Sequence, residues 1–192
     1  MLCTIQMSLA QTLLIDPATN GGFESGTTFG ANGWTATTSV STRNQWVCNT
    51  GATSGFSGVR CAYITNNTSI TPPPHSYTLN ASRRTHLYRD VTVPSGETNI
   101  ELNFDWIGRG QTNNDFMRIW LTPTSYTPTY GASVTATGSA PTGRVLLAVY
   151  QNQSSWTNAT VYLPTDYAGQ TFRLIFEWIN NNSSGTQPPV RD

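Results

Sequence analysis

The stretch NIELNFDWIGRGQTNNDFMRIWL, residues 99–121, decides how this chain folds. In its first half the apolar residues Ile100, Leu102, Phe104 and Trp106 alternate with polar ones. Because successive side chains of a strand point to opposite faces, this pattern predicts a strand with one buried and one solvated face. The run GRGQTNN then predicts a loop, and FMRIWL predicts a second strand. An antiparallel pair with a large aromatic face needs a second sheet to cover it, so we predict a β-sandwich centred on this pair.

The same alternation returns in TFRLIFEWI, where Phe172, Leu174, Phe176 and Trp178 share one face. We predict that this row and the row at 100–106 pack against each other between two sheets. Further strand-like runs lie at 12–16, 45–48, 58–65, 85–93, 144–150 and 156–163. No helical period is sustained over three turns, so the sequence predicts an all-β, antiparallel β-sandwich of jelly-roll type. We assign the tryptophans at 34, 106, 156 and 178 to its core.

Composition narrows the class of protein and of partner. The chain has 192 residues, enough for one sandwich domain with a full core. Only 10% of its residues are charged, against about 25% in typical soluble proteins, and its formal net charge is zero. Nucleic acids and anionic membranes attract basic surfaces, so this balance argues against both partners, and no segment approaches the ~20 apolar residues of a membrane span. An aromatic content of 11% argues against disorder, and the polar remainder suits an extracellular β protein.

The first ten residues, MLCTIQMSLA, have two interpretations. A brief apolar stretch that ends in small residues at Ser8 and Ala10 is typical of a partial secretion signal. Alternatively, the segment is an ordinary buried first strand. We expect the signal, which makes residues 1–10 a leader and residues 11–192 a single β-sandwich domain of an extracellular or cell-surface protein.

The cysteines fit that expectation. If Cys3 leaves with the leader, Cys48 and Cys61 remain as an even pair in two strand-like runs. A disulfide between them would staple a hairpin-like unit and stabilise it by about 3 kcal/mol for a loop of this length. The alternative is two buried thiols in a reducing compartment.

The longest irregular stretch lies between FMRIWL and RVLLAVY, and a connection of that length is a candidate functional loop. Sugar binding needs exposed aromatic platforms beside polar hydrogen-bonding groups. Tyr126 and Tyr130 lie in this loop, and Arg109, Gln111 and Asn114 lie in the loop of the central pair. We predict that these five residues bind a ligand. The alternative is that they are solvated loop residues without one.

Little in the sequence supports catalysis. Glycosidases use paired carboxylates about 5–10 Å apart. The candidates for such a pair are Glu101 and Asp105, which share one face of a strand, and Glu177 on another strand. On the solvated face of a strand, however, such acids are ordinarily just hydrated. His75 and His86 lie in no zinc-protease pattern, and neither a nucleophile elbow nor a phosphate-binding glycine loop occurs. We therefore expect no enzymatic activity.

Five runs together carry a resemblance to a known group: NGGFESG with the following GW, HLYRDVTVPSG, ELNFDWIGRGQ, DFMRIWLTPTSYTP and FRLIFEW. Through these runs the chain resembles the cleaved-adhesin and choice-of-anchor J group of jelly-roll domains, distant relatives of MAM domains in the galactose-binding-like superfamily, and the resemblance covers nearly all of residues 15–178. The resemblance implies a jelly-roll fold in a large secreted or surface-anchored bacterial protein, next to proteases, adhesins or fibronectin-like repeats.

The resemblance also implies a structural calcium ion. In that group, and in related carbohydrate-binding modules, a Phe-Glu pair after the first strand often helps to hold calcium, and a closing strand supplies a second acid. Glu24 matches the first acid, and Asn20 and Gly21 offer side-chain or main-chain oxygens nearby. A run that matches the closing strand is absent, so we expect a domain truncated at its C-terminal end. The alternative for Glu24 is a cap that accepts backbone N–H groups.

Three functions remain open after these observations. The leading expectation is a non-catalytic secreted adhesion module that binds a glycan or an extracellular protein, as an accessory to further domains of a surface protein or exported enzyme. The second is a structural spacer domain without a ligand of its own, which burial of Tyr126 and Tyr130 would favour. The third is a fragment of a secreted glycoside hydrolase or protease.

Overall fold

The computed structural model describes residues 12–38, 43–49, 57–71, 73–79 and 81–182, and the leader predicted at residues 1–10 lies outside them. Its strands all pair antiparallel. The described strands are β1 (Thr35–Ala36), β2 (Gln45–Asn49), β3 (Cys61–Thr65), β4 (Arg83–Thr92), β5 (Ile100–Gly108), β6 (Phe116–Thr122), β7 (Val145–Tyr150), β8 (Gln153–Leu163) and β9 (Thr171–Asn180). Two short 3-10 turns, Gly30–Asn32 and Thr165–Tyr167, accompany them. The predicted all-β antiparallel sandwich of jelly-roll type is confirmed.

One layer of the sandwich is a five-stranded sheet in the order β1-β4-β9-β6-β7. Strand β9, which contains the TFRLIFEWI row, therefore lies at the centre of this sheet, between β4 and β6. The other layer consists of two separate two-stranded sheets, β2-β3 and β5-β8. Both pack on the five-stranded sheet, because Trp46, Ala62, Leu102 and Phe104 contact its buried apolar residues.

The two alternating rows meet between the layers, as the sequence predicts. The rings of Phe104 and Phe176 lie edge to face, with centroids 5.5 Å apart and planes at 84°. The inner core around them is formed by ten buried residues: Trp34, Leu87, Val91, Val93, Ile100, Ile119, Leu121, Tyr167, Phe172 and Leu174. Among the tryptophans assigned to the core, Trp34 and Trp178 are buried, whereas Trp106 and Trp156 are only half-buried.

Among the described strands, the two sheets of the second layer do not pair with each other. Between β3 and β5 lies a space of about 1140 Å³, which we call the inter-sheet cleft, and its floor is the inner face of the five-stranded sheet. This is why the aromatic residues of β5, Phe104 and Trp106, are half-buried rather than buried. Within the described residues, no helix is long and apolar enough to cross a membrane.

The predicted disulfide between Cys48 and Cys61 is not formed, and both thiols are free. The register of the β2-β3 pair explains this, because Cys48 lies opposite Ala62 and Cys61 lies opposite Asn49. Neighbouring positions on a strand point to opposite faces, so the two sulfur atoms leave the ribbon on opposite sides. Cysteines whose side chains point apart cannot be bridged without moving the backbone.

Candidate ligand-binding groove

The strand register aligns side chains in rows across the outer face of the five-stranded sheet. Ile179 of β9 lies opposite Arg84 of β4 on one side and opposite Phe116 of β6 on the other. Two positions further along, Glu177 lies in the same way between His86 and Arg118. The next row along the sheet is Tyr88, Ile175 and Trp120. Residues from three strands that are distant in sequence thus share one surface.

A groove of about 570 Å³ opens over the end of this surface. Its floor is the Arg84–Ile179–Phe116 row, and two loops form its walls. The loop between β5 and β6 gives one wall, and the segment 133–136 gives the other. The lining side chains are Arg84, Asn113, Asn114, Phe116, Arg118, Trp120, Ser133, Val134, Thr135, Ala136, Ile179 and Asn181. Amide and guanidinium side chains thus line the groove together with Phe116.

Arg84 gives the groove a positive charge. Its Nε donates a hydrogen bond to the Ser133 hydroxyl at 2.9 Å, and Nη1 donates to the hydroxyl of Ser82. In the described part of the chain, no carboxylate lies within ion-pair distance of this guanidinium. Neutral hydroxyls leave the guanidinium charge uncompensated, so the groove favours an anionic ligand.

The neighbouring row holds a buried carboxylate under the groove. Glu177 is fully buried; its Oε2 lies 2.8 Å from Nη2 of Arg118 and accepts the indole N–H of Trp120 at 2.7 Å. Its Oε1 accepts the Val134 N–H at 3.0 Å and lies 3.5 Å from Nε2 of His86. Burial alone would raise the pKa of the Glu177 carboxyl, but His86, Arg118 and the Val134 N–H together hold that pKa below its usual value of 4.5. The carboxylate is therefore ionised at neutral pH and fixes the wall segment at Val134.

The other wall, the loop between β5 and β6, is fixed by Asp115. This buried carboxylate accepts the Tyr77 hydroxyl at 3.0 Å and the backbone N–H groups of Gln111 and Asn181, each at 3.3 Å. Gly110 packs so closely that a Cβ there would lie 2.5 Å from the Asp115 carbonyl oxygen, so this turn admits no larger residue. The loop is thus held against the sheet rather than free.

The structure separates the ligand residues that the sequence predicts in this loop. Asn114 lines the groove, and its side-chain oxygen accepts a hydrogen bond from Asn181. Arg109 points elsewhere, donating to the Ser154 carbonyl at 3.0 Å at the edge of the inter-sheet cleft. Gln111 uses its backbone N–H to hold Asp115 and lines neither space.

The two tyrosines predicted as stacking platforms pack against the body of the protein. Tyr126 is half-buried on the cluster of Trp120, Val134 and Ile175, and the Arg144 guanidinium lies 4.7 Å from its ring centre. The half-buried Tyr130 donates its hydroxyl to the Asn44 carbonyl at 3.1 Å. Neither residue lines the groove. Their ligand-binding role stays a prediction without support from this geometry.

Sequence reasoning missed Arg84, Phe116 and Asn181 as groove residues. The alternation within each strand could have indicated Arg84 and Phe116. Both pair with Ile179, which lies on the face of β9 opposite its predicted core row. Which strands become neighbours, however, is a long-range property that alternation does not reveal. Arg118 is half-buried against Glu177.

The three residues predicted to hold calcium lie in one continuous turn: Asn20, Gly21 and Glu24. The Glu24 Oε1 accepts the backbone N–H groups of Val59 and Arg60, each at 2.9 Å, and Oε2 lies 3.5 Å from the Arg60 guanidinium. The Asn20 side-chain oxygen accepts a backbone N–H within the turn. The side-chain oxygens of Asn20 and Glu24 thus make contacts within the protein, and calcium binding at this turn stays a prediction. Among described residues, no three His, Cys, Asp or Glu side chains cluster as metal ligands.

The carboxylates considered for catalysis do not form one site. Glu101 accepts a hydrogen bond from Asn103 along its own strand at 2.9 Å, and Asp105 accepts one from Asn158 at 3.1 Å. Both lie on the β5-β8 sheet, whereas Glu177 is sealed into the outer face of the five-stranded sheet. The paired geometry of a glycosidase is therefore not assembled from these three residues.

No protein-family model matches the chain, and no curated protein matches it.

Proposed function

We propose that this protein is a non-catalytic binding module of a secreted or surface-attached protein, which recognises an extracellular glycan or protein through the groove on its outer face. The observation that carries the proposal is the Arg84–Ile179–Phe116 row with its rim of amide side chains. Such a module would act as an accessory to further domains of a surface protein or exported enzyme. The low charge of the chain and its aromatic content are consistent with this setting.

The chemistry of the groove favours an acidic glycan within this class. The asparagines at 113, 114 and 181 offer amide groups that match sugar hydroxyls in both donor and acceptor sense. Phe116 offers an apolar ring for a sugar face. In the part of the chain that the structure describes, the Arg84 guanidinium donates to the hydroxyls of Ser133 and Ser82, and it would form a charge-assisted pair with a ligand carboxylate.

The proposal is tested by screening the protein against a glycan array with uronic-acid and sialic-acid members, together with a panel of extracellular matrix proteins. We expect binding to acidic glycans that falls about tenfold or more in Arg84→Ala, since a charge-assisted hydrogen bond is worth about 1.5–3 kcal/mol. Arg83→Ala is the matched control, because it removes the same charge one residue away and Arg83 does not line the groove. No binding to any member of either panel would count against the proposal, and so would an equal loss in both variants.

A structural spacer without a ligand is the second candidate, and the packing of the long loop favours it. Tyr126 and Tyr130 are half-buried and bonded to the body of the protein instead of presented to solvent. A spacer would show no array binding and would stabilise a neighbouring domain expressed in the same chain. Incubation with polysaccharide and casein panels checks the third possibility, a hydrolase fragment, which predicts reproducible turnover.

The calcium site at Asn20, Gly21 and Glu24 stays a prediction. Calcium binding would require Glu24 to exchange its contacts with Val59 and Arg60 for the ion. If the ion is a structural component, EGTA lowers the melting temperature and calcium restores it. An unchanged melting temperature, with metal absent by elemental analysis, would end the prediction.

A further inference from the structure

Strand β5 presents a backbone edge to the inter-sheet cleft. In the described part of the chain, β5 pairs only with β8, on the side away from β3. All residues from 97 to 109 line the cleft. When both inward-facing and outward-facing residues of a strand line one space, the strand presents its edge to that space. The N–H and C=O groups of this edge therefore point toward the cleft.

The surface beneath this edge is apolar. Phe104 and Trp106 of β5 line the cleft, and so do Phe176 and Trp178 of the five-stranded sheet. Phe104, Trp106 and Phe176 are only half-buried, so part of each ring is left uncovered. An exposed strand edge beside apolar surface is a site for one more strand, because a strand satisfies the backbone groups and covers the apolar surface together. A small apolar molecule would cover the rings and leave the backbone groups unpaired.

The outward-facing side of β5 carries acidic groups at the lip of the cleft. Glu101 and Asp105 alternate with the apolar inward row, and Glu97 precedes the strand. All three line the cleft. Among the described residues, no basic side chain lies within ion-pair distance of Glu97 or Asp105. Opposite charge on a partner would be attracted to this lip.

The basic residues that line the cleft do not cancel this charge. Arg60 lies 3.5 Å from the Glu24 carboxylate and is compensated by it. Arg109 lies beyond the last residue of β5 and donates to the Ser154 carbonyl. The lip along β5 itself is therefore acidic.

We propose that the inter-sheet cleft binds an extended peptide of another protein, in which apolar and basic residues alternate, as a strand added to the β5 edge. Side chains of neighbouring strands that lie opposite each other share a face of the sheet. The apolar residues of the peptide would pack on Phe104 and Phe176, and its basic residues would lie beside Glu101 and Asp105. In this mode main-chain hydrogen bonds give affinity and alternate side chains give specificity.

The length of the edge sets the length of the peptide. Strand β5 has nine residues, which span about 30 Å at about 3.3 Å each. A nine-residue peptide would therefore pair along the whole edge. This inference does not rest on the groove, which lies on the opposite face of the five-stranded sheet.

Calorimetric titration of the full 192-residue chain tests the inference. The probe is an acetylated and amidated peptide of alternating valine and lysine that matches the nine residues of β5, and its control replaces every lysine by glutamate. We expect saturable binding of the lysine peptide and binding about tenfold weaker or less for the glutamate peptide. Methylation of every backbone nitrogen of the lysine peptide should abolish binding, because the peptide can then donate no hydrogen bond to β5.

Hydrogen exchange locates the bound peptide. The lysine peptide is expected to slow exchange at residues 100–108 by about tenfold or more. Residues 133–136 of the groove wall should exchange at the same rate with and without the peptide, since they lie on the other face of the five-stranded sheet.

Charge reversal at the lip tests the specificity. The double variant Glu97→Lys with Asp105→Lys is expected to weaken binding of the lysine peptide and to strengthen binding of the glutamate peptide, each by about tenfold. Asp166→Lys is the matched control, because Asp166 is exposed and does not line the cleft. It should leave both affinities unchanged. A variant that folds poorly would weaken both peptides together, so the reversal of preference separates specificity from a folding defect.

Three results would overturn the inference. The first is equal affinity for the lysine and glutamate peptides, or binding of neither. The second is full protection of residues 100–108 in the peptide-free monomer, since the β5 edge would then be paired within the protein. The third is protection that rises with protein concentration together with a dimer on size exclusion, since a second copy of the chain would then occupy the cleft.

Discussion

The buried carboxylate of Glu177 lies 2.8 Å from the guanidinium of Arg118, directly opposite it on the neighbouring strand. The same carboxylate accepts N–H groups from Trp120 and Val134. One side chain therefore joins the central strand, its neighbour β6 and the loop that walls the groove. The stability of the sheet and the shape of the groove depend on the same contact.

Replacing this carboxylate is expected to lower the stability of the folded protein. Glu177→Gln removes the charge that pairs with Arg118 and turns an amide N–H toward donors, so we predict a loss of about 3 kcal/mol in unfolding free energy. Equilibrium denaturation in urea measures this loss. Glu101→Gln is the control, because Glu101 lies on the other sheet, where its carboxylate accepts a hydrogen bond from the neutral Asn103 side chain. We expect the control to change stability by less than about 0.5 kcal/mol; losses of equal size in both variants would contradict the assignment.

The depressed pKa of Glu177 predicts how this stability depends on pH. Because the folded-state pKa lies below the usual 4.5, the contribution is fully present above the unfolded-state pKa and is lost as pH falls through the folded value. The difference in unfolding free energy between the wild type and Glu177→Gln should therefore be constant near neutral pH and shrink as the pH is lowered below about 4.5. Denaturation at a series of pH values measures it. If the difference in unfolding free energy does not narrow in acid, the carboxylate is not ionised in the folded protein.

The contact between Phe104 and Phe176 predicts a measurable coupling across the two layers. Their rings meet edge to face at 5.5 Å, and such pairs are worth about 0.5–1.5 kcal/mol beyond the area they bury. A double-mutant cycle with Phe104→Ala and Phe176→Ala should give a coupling energy in that range. Pairing Phe104→Ala with Phe116→Ala is the control, and these two should be additive because Phe116 lies on the outer face. Additivity in both cycles would mean that the rows do not pack together.

The free thiols of Cys48 and Cys61 give a test of the β2-β3 register. Their side chains leave the ribbon on opposite faces, so no bridge should form between them. Burial raises the pKa of each thiol to about 11, so both are protonated and slow to alkylate in the folded protein at neutral pH. When the protein is alkylated in denaturant without reductant, mass spectrometry should show that both cysteines are modified. An intact mass that shows a Cys48–Cys61 bridge would instead restore the disulfide predicted from the sequence.

The sequence predicts the fold well because alternation is a local signal. The rows at 100–106 and 172–178 are readable without any knowledge of their partners, and the structure places them face to face. The site is different, since Arg84, Ile179 and Phe116 become neighbours only through strand pairing between distant parts of the chain. Loop position alone suggested Tyr126 and Tyr130, and it could not show that the long loop folds back onto Trp120 and Ile175. The disulfide prediction was wrong for the same reason, because the spacing of two cysteines along the sequence does not reveal the register of their strands.

An NMR titration shows directly whether the Arg84–Ile179–Phe116 row binds the ligand. The isotopically labelled protein is titrated with a uronic-acid trisaccharide and with the strongest acidic member of the glycan array. We expect saturable shifts at Asn113, Asn114 and residues 133–136, which are lost in Arg84→Ala and kept in Arg83→Ala. Shifts confined to the inter-sheet cleft, or binding that is the same in both arginine variants, would contradict it.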